Sequence, residues 1–368
     1  APKGDPFTDL ATIMFSSGST GEPKGVMLSH HNVVSNLEAI AQILGAVDED
    51  RVMGVLPFFH AFGFTGTLCM PLVLGMGAVY HPNPLDAKSI GGLIKKYKAT
   101  LLISTPTFCQ AYYRACAPED LASLRHVVVG AERLRPDFAA QFKEKFGIQL
   151  LEGYGATEMG PVVAVNVPDV LEGTDRQIGT KPGTVGHPIP GVAAKVVDPE
   201  TGVEKQEGEE GLLLLKGPGR MIGYLADPEK TAQVLRGDWY VTGDIAVIDE
   251  DGFIRITDRL SRFSKVGGEM VPHVKIEEAM LRIPGIGGAA VVAVPDADRG
   301  ERLFGLYVAD ESMGPDLVWQ GLADSGLPKL WIPKARDLRR IDELPTLGTG
   351  KLDMRRLKQT ALSLASGG

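Results

Sequence analysis

The sequence is poor in cysteine, in long apolar runs and in positive charge. Its cysteines, Cys69, Cys109 and Cys116, are odd in number and form no CxxC pair, which argues against a disulfide framework or structural zinc and indicates a reducing compartment. The longest apolar run, LCMPLVLGMGAVY, is interrupted by proline and glycine and is too short to cross a bilayer. The net charge of −8 argues against a general nucleic-acid binder. With no signal-peptide pattern visible, we expect a cytoplasmic protein without a nucleic-acid partner.

The order of hydrophobic patterns favours an α/β fold. With 368 residues, 44% of them hydrophobic, the chain is long enough for roughly two or three domains. Strand-like and helix-like segments alternate through the first part of the chain, as in a layered α/β sheet. Short strands and then a mixed α+β pattern follow. We predict a large N-terminal α/β domain with a small β subdomain, plus a small α+β C-terminal domain, with boundaries at 1–190, 191–260 and 261–368.

Local signals predict individual elements. The segment SNLEAIAQILG predicts a helix, and Pro136 and Gly147 are typical of the first turn and the end of another helix. After the last predicted helix, at DLVWQGLADSG, the chain becomes a basic tail. Short apolar runs predict strands at 12–15, 100–104, 126–130, 193–198, 211–217, 246–249, 253–257, 289–294 and 303–309.

The stretch SSGSTGEPKG, from Ser16 to Gly25, has the composition of a phosphate-binding loop. Glycines leave backbone N–H groups accessible to anions, hydroxyls add donors, and Lys24 adds a positive charge. It is not a Walker A loop, because Pro23 stands where that pattern requires glycine. Composition alone leaves open a flexible polar turn between a strand and a following helix.

Further short motifs occur in a fixed order along the chain. They are LPFFHAFG at 56–63, GAERL at 130–134, GYGATE at 153–158, WYVTGD at 239–244, DRLSRFSKVGG at 258–268 and LGTGK at 347–351. Together with the phosphate loop, they closely resemble the adenylate-forming superfamily of acyl-CoA synthetases, luciferases and peptide-synthetase adenylation domains. The runs LEGYGATEMGPVVAVNVP, RFSKVGGEMV and LPTLGTGK further resemble the ligase part of bacterial acyl-acyl-carrier-protein synthetases, commonly fused to a 2-acylglycerophosphoethanolamine acyltransferase.

The resemblance implies activation of a long-chain fatty acid by ATP and Mg²⁺, with release of pyrophosphate, and then transfer of the acyl group to the thiol of acyl carrier protein. Coenzyme A is the alternative thiol, and a fragment that only binds nucleotide or carrier protein is a third hypothesis. It also implies a mobile C-terminal lid, a nucleotide- and acyl-binding core, and work at the cytoplasmic face of the inner membrane through a fused acyltransferase segment that is not present here.

The resemblance also implies roles for individual residues. Thr157 would contact the α-phosphate, Glu158 would hold Mg²⁺, His60 would lie near the substrate carboxylate, and Lys351 would bridge that carboxylate and the α-phosphate. The nucleotide-binding set is Ser16, Ser17, Gly18, Ser19, Thr20, Gly21 and Lys24 for the β- and γ-phosphates, Gly130, Ala131, Glu132, Tyr154 and Gly155 around adenine, and Thr157, Asp244 and Arg259 around the ribose and α-phosphate.

Each of these residues also has an ordinary structural explanation. Glu158 taken alone is typical of an exposed loop, Tyr154 of a half-buried core aromatic, and Asp244 after glycine of a turn. His60 in an aromatic stretch is typical of packed core, and Lys351 of a basic solvated tail with Arg355, Arg356 and Lys358.

The region after Arg259 departs from the family pattern. Ser261 stands at the hinge, where the family usually has Asp or Lys, so the timing of domain rotation is open. Lys265, Gly267 and Gly268 would lie at the thiol tunnel.

The chain begins at Ala1, and family members usually carry a long segment before the phosphate loop. We therefore expect a truncated or processed chain with exposed sheet edges and reduced stability.

Overall fold

The described chain forms two units. The structure, a computed structural model, describes residues 4–17, 23–172, 175–266, 269–296, 300–346 and 352–366. The first unit ends at Thr257 and the second begins at Asp258. The predicted boundary between residues 190 and 191 therefore lies inside the first unit.

The first unit alternates helices and strands for most of its length. Its helices are α1 (His30–Leu44), α2 (Ala61–Gly63), α3 (Met70–Leu74), α4 (Ala87–Tyr97), α5 (Pro106–Ala115), α6 (Pro118–Leu121), α7 (Pro136–Phe146) and α8 (Pro228–Val234). Its strands are β1 (Leu10–Ser17), β2 (Pro23–Ser29), β3 (Arg51–Gly54), β4 (Gly77–Tyr80), β5 (Leu101–Ser104), β6 (His126–Val129), β7 (Leu150–Gly155), β8 (Val162–Val165), β9 (Val170–Glu172), β10 (Asp175–Gln177), β11 (His187–Pro188), β12 (Ala193–Val197), β13 (Glu210–Lys216), β14 (Gly223–Tyr224), β15 (Leu235–Arg236), β16 (Trp239–Ile248) and β17 (Ile254–Arg259), the last of which passes into the second unit.

A seven-stranded sheet forms the centre of the first unit, in the order β11-β8-β7-β6-β5-β3-β4. The strands from β4 to β7 pair in parallel. Helix α7 begins at Pro136, ends before Gly147 with a left-handed φ of 71°, and buries Phe138 and Phe142, so the predicted helix is confirmed. Because the carboxyl ends of parallel strands meet at one edge, the loops after β6 and β7 come together there.

The phosphate-loop segment joins two strands rather than a strand and a helix. β1 and β2 pair antiparallel with Ser16 opposite Lys24, and β14 adds to the other edge of β2. Helix α1 starts only at His30, where the Ser29 hydroxyl accepts a hydrogen bond from the Asn32 N–H. The helix predicted at SNLEAIAQILG is confirmed as α1, but strand β2, which buries Val26 and Leu28 on one face, lies between the loop and this helix.

A β subdomain completes the first unit. β12, β13, β16 and β15 form an antiparallel sheet, with β17 also paired to β16. Its buried residues include Leu213, Leu215 and Tyr240, which pack in one cluster with Met159 and Val163 near the end of the main sheet.

The second unit is an α+β fold. Its elements are β18 (Phe263–Val266), β19 (Glu269–Pro272), α9 (His273–Leu281), β20 (Ile286–Asp296), β21 (Gly300–Ala309), α10 (Pro315–Ala323), β22 (Leu338–Arg340) and α11 (Met354–Ser366). β20 and β21 form a long antiparallel pair, and the predicted strands 289–294 and 303–309 lie within them. The segment described from the sequence only as a basic tail contains helix α11, with Leu357 and Ala361 packed against Ala290 and Phe304. The predicted α/β fold with a smaller α+β C-terminal domain is confirmed.

Candidate active site

The end of β7 and the middle of β16 supply a buried acceptor carboxylate. The Tyr154 hydroxyl donates a hydrogen bond to Asp244 Oδ2, and Asp244 is only 5% exposed. Gly243 has φ of 75°, and the Asp244 N–H donates back to the Thr242 hydroxyl at 2.9 Å. Asp244 therefore lies within a strand and not in an ordinary turn. Tyr154 is half-buried against the β subdomain, and its contact with Asp244 was not predicted.

A second group of residues lies where β2 meets the turn after β7. Glu158 is half-buried in a single 3₁₀ turn, Thr157–Met159. Burial lowers the pKa of Lys24 below its usual value, and the charge of Glu158 partly opposes this. Gly155 precedes this turn, and a Cβ there would lie 2.5 Å from the Pro161 carbonyl oxygen, so only glycine fits. The structure therefore brings Lys24 and Glu158 together.

Part of the predicted phosphate loop cannot be placed. Gly18, Ser19, Thr20 and Gly21 lie outside the described residues, as does the side chain of Ser17. Ser16, half-buried on β1, and Lys24 on β2 mark the two sides of the hairpin that this loop closes.

Sequence reasoning missed Tyr224. Its hydroxyl donates to Glu158 Oε1 at 2.8 Å, and the Lys24 ammonium lies 5.1 Å from the centre of its ring. In the sequence, Tyr224 is marked only by the pair Gly223-Tyr224 after a glycine-rich turn. A pair of residues is too short a motif to indicate a functional site.

Tyr240 on β16 is 5% exposed and packs in the same hydrophobic cluster as Tyr154. Burial and then the charge of Glu158 hold its pKa well above the usual value, with smaller effects from Tyr224, Tyr154 and Asp244. The sequence motif WYVTGD contains Tyr240, but only Asp244 was selected from it.

The GAERL loop after β6 is held by two carboxylates. Ala131 adopts the left-handed region at φ of 67°, a strained conformation for alanine that is more common at functional sites. Glu132 accepts hydrogen bonds from the N–H and hydroxyl of Thr107, at 3.1 and 2.6 Å, where α5 begins. Glu152 Oε1 accepts from the Leu134 N–H at 2.9 Å. Burial raises the pKa of Glu152 to about 7, against the lowering effects of that hydrogen bond and of Arg133.

His60 lies at the start of α2 and its side chain is exposed, so it is not packed core. Its Nδ1 accepts from the Phe62 N–H at 3.3 Å. A Cβ on Gly130 would lie 3.3 Å from the Gly153 carbonyl oxygen and 3.4 Å from the Phe62 ring, so these backbones approach closely. Phe62 also lines an apolar cavity of about 30 Å³, with Ile40, Gly66, Ile103, Val128 and Val165 among its walls. Apolar space therefore begins two residues from His60.

The remaining predicted residues belong to the second unit. Arg259 and Lys265 are exposed, and the Lys265 N–H donates to Glu301. Ser261 lies in a 3₁₀ turn, Leu260–Arg262, and its side chain is outside the described residues, as are Gly267, Gly268 and Lys351. Arg262 forms a largely buried ion pair with Glu277.

A magnesium ion fits the donor set of the first unit only as a partner of bound phosphates. Within the described ranges no group of His, Cys, Asp or Glu side chains could hold a metal by itself. Mg²⁺ in nucleotide sites is commonly held by one or two carboxylates together with substrate phosphates, and Glu158 beside Lys24 satisfies that requirement.

Two protein-family models match this chain. The family model of AMP-binding enzymes matches residues 1–225, and the model of their C-terminal domain matches residues 275–351. The long-chain-fatty-acid–CoA ligase of Bacillus subtilis (strain 168) is 35% identical over 97% of this chain, and the probable 4-coumarate–CoA ligase 1 of Dictyostelium discoideum is 35% identical over 96%. The chain spans 62% and 64% of the lengths of these two ligases.

Solved structures have the same fold. The crystal structure of ATP-bound MatB from Rhodopseudomonas palustris superposes with a TM-score of 0.82 at 32% identity, over 98% of this chain and 69% of that one. Across the part of the chain that the structure describes, no helix combines the length and the apolar character needed to cross a membrane. The family models and the shared fold together establish that this chain belongs to the AMP-binding enzymes of the adenylate-forming superfamily.

Proposed function

We propose that this protein is an AMP-forming acid–thiol ligase that activates a long-chain fatty acid and transfers it to coenzyme A. The observation that carries the proposal is that two different carboxylates are each held by a tyrosine hydroxyl. Asp244 is a buried acceptor of the Tyr154 hydroxyl, whereas Glu158 accepts from Tyr224, whose ring lies 5.1 Å from the Lys24 ammonium. One carboxylate suits a ribose diol, and the other, with its lysine, suits a metal-bound triphosphate.

The reaction has two steps. A carboxylate oxygen of the acid attacks the α-phosphorus of ATP, the bond between the α- and β-phosphates breaks, and pyrophosphate leaves. The thiol then attacks the acyl carbon of the acyl adenylate, AMP leaves, and the thiol proton passes to solvent. Both steps bring anions together, so positioned cations and N–H donors lower the barrier.

The first unit supplies the nucleotide-binding groups in this proposal. Asp244 accepts hydrogen bonds from the ribose hydroxyls, Lys24 and the loop from Ser16 to Gly21 bind the β- and γ-phosphates, and Thr157 contacts the α-phosphate. Tyr154, Gly155, Gly130 and Ala131 surround adenine. Glu132 shapes this region through its hydrogen bonds to Thr107, since its carboxylate is already engaged.

Glu158 would hold Mg²⁺ together with the phosphates. When bound, the ion would reduce the negative charge of the triphosphate. The residues of the chain orient the nucleotide and hold its ribose and phosphates in fixed positions.

The acid substrate is proposed from the relatives, with His60 beside its carboxylate. The exposed imidazole of His60 would lie near that carboxylate. The relatives are named for a fatty acid and for 4-coumarate, and the choice of a fatty acid follows the first of these names.

Coenzyme A is the proposed thiol because both ligases named above carry it in their names. The sequence alone favoured acyl carrier protein, and the basic residues of α11 suit an acidic carrier equally well. Lys265, Gly267 and Gly268 would form the thiol tunnel after rotation at Ser261, with Arg259 on the nucleotide side. A cytoplasmic location, and association with a membrane through a fused acyltransferase segment, stay predictions.

A direct comparison of thiols tests the proposal. Palmitate, ATP and Mg²⁺ are incubated with the protein and either coenzyme A or holo acyl carrier protein, and the thioester is measured by mass spectrometry. We expect faster thioester formation with coenzyme A. Faster use of the carrier protein would reverse the choice of thiol, and ATP binding without pyrophosphate release would favour a binding-only fragment.

Lys351 gives a second test, of the adenylation step. A cation between the substrate carboxylate and the α-phosphate lowers their repulsion, so Lys351→Ala should slow acyl-adenylate formation by roughly 100-fold or more. Lys358→Ala, which removes an exposed lysine of α11, is the matched control. An unchanged rate in Lys351→Ala would refute the assigned role.

A further inference from the structure

The short strand β14 connects two parts of the candidate site that are far apart in sequence. Gly223 and Tyr224 pair with Met27 and Val26 of β2. Immediately before them, the Met221 N–H donates to the Glu158 carbonyl oxygen at 2.8 Å. One segment therefore binds both the strand that carries Lys24 and the turn that carries Glu158.

The Tyr224 side chain repeats this connection. It is 4% exposed, its hydroxyl donates to Glu158 Oε1 at 2.8 Å, and its ring lies 5.1 Å from the Lys24 ammonium. The hydroxyl and the ring thus contact different partners of opposite charge.

We infer that Tyr224 is a positioning residue with two separable effects: its hydroxyl orients Glu158 toward a phosphate-bound metal ion, and its ring holds the Lys24 ammonium toward the phosphates. This inference rests on the proposed function. A hydrogen bond to one carboxylate oxygen restricts rotation of the carboxylate and leaves the other oxygen for the metal, as outer-shell partners do in metal sites. A cation beside an aromatic face is attracted to it, more strongly when both are partly buried.

Two substitutions separate the effects. Tyr224→Phe keeps the ring and removes the hydroxyl, whereas Tyr224→Leu removes both. Tyr112→Phe is the matched control, because Tyr112 is fully buried and its hydroxyl donates to the Pro84 carbonyl oxygen at 3.0 Å. ATP affinity is measured by calorimetry in EDTA, and Mn²⁺ affinity of the ATP-bound protein by electron paramagnetic resonance.

The expected pattern differs between the variants. Tyr224→Phe should weaken Mn²⁺ binding roughly tenfold and leave metal-free ATP affinity within about twofold of wild type. Tyr224→Leu should show the same loss of Mn²⁺ affinity and, in addition, a roughly fivefold weaker metal-free ATP affinity. A general loss of structure would lower both affinities together in both variants.

The outcomes distinguish the inference from the proposed function. Wild-type Mn²⁺ affinity in Tyr224→Phe would overturn the role of the hydroxyl, and equal losses with and without metal in both variants would overturn the separation of roles. If the wild-type protein bound no ATP, the proposed function would fail and the inference with it. If the wild type bound ATP and Mn²⁺ and only the variants behaved unexpectedly, the inference alone would fail.

Discussion

Replacing Glu152 by glutamine should make the protein more stable at alkaline pH. Glu152 is 8% exposed, and burial raises its pKa to about 7. In the unfolded chain the same group titrates at its ordinary value near 4.5. Because the folded-state pKa is the higher one, this group contributes its full stability below about pH 4.5 and loses it as the pH rises to about 7. Glutamine cannot ionise and can still accept the Leu134 hydrogen bond.

The size of the effect follows from the difference between the pKa values of Glu152 in the folded and unfolded chain. One pKa unit corresponds to about 1.4 kcal/mol, so the full loss is about 3 kcal/mol, of which about 2 kcal/mol falls between pH 5.5 and 7. For a unit of this size, about 2 kcal/mol corresponds to a shift in Tm of roughly 4–8 °C. We therefore expect Glu152→Gln to gain about that much in Tm over wild type between pH 5.5 and pH 8.

Thermal unfolding followed by circular dichroism at several pH values measures the difference. Subtracting wild type from variant at each pH removes the contribution of every other titrating group. Asp238→Asn is the matched control, because Asp238 is largely exposed and pairs with Lys216 at the surface. The difference in Tm between Asp238→Asn and wild type should therefore not change with pH above 5.5. A flat difference for Glu152→Gln, or a less stable variant at pH 8, would refute the reasoning.

Further predictions concern backbone conformation and buried charge. Gly147→Ala should cost about 1 kcal/mol in urea unfolding, because a left-handed φ of 71° disfavours alanine although the surrounding space is open. Gly92→Ala, in the exposed interior of α4 with equally open space, should instead gain about 0.5–1 kcal/mol; equal signs for the two would contradict this. Arg262→Met should destabilise the second unit by about 3–5 kcal/mol, because it leaves the Glu277 carboxylate buried without its cation. Adding Glu277→Gln, which removes the charge and can still accept the Val291 N–H hydrogen bond, should restore most of that loss, as measured by hydrogen exchange in β20. Failure to restore it would show that the pair contributes more than compensation of charge.

Much of the local structure could be predicted because its causes are local. The helix from Pro136 to Phe146 needs only a proline at its start, apolar residues at helical spacing and a glycine at its end. Helix α11 was described only as a basic tail because Arg355, Arg356 and Lys358 suggested a solvated face, and the partners of its buried residues on β20 and β21 are distant in sequence.

Strand β2 was missed for a related reason. Its buried residues, Val26 and Leu28, are too few to distinguish a strand from the start of a helix by periodicity alone. Pairing with β1 and β14 makes this segment a strand, because the hydrogen bonds of these two pairings satisfy its backbone donors and acceptors.

The sequence by itself determined the family, the α/β class and the identity of the candidate residues, because the order of the motifs and the residue types can be read without coordinates. Only the tertiary structure decided which of these residues contact one another. Tyr154 and Asp244 are 90 residues apart, Tyr224 and Glu158 are 66 apart, and each pair forms only when strands from separate parts of the chain pack together. Hydrophobic patterns report which face of an element is buried but not which element covers it, and for that reason the contacts of Tyr154 with Asp244 and of Tyr224 with Glu158 could be found only in the folded chain.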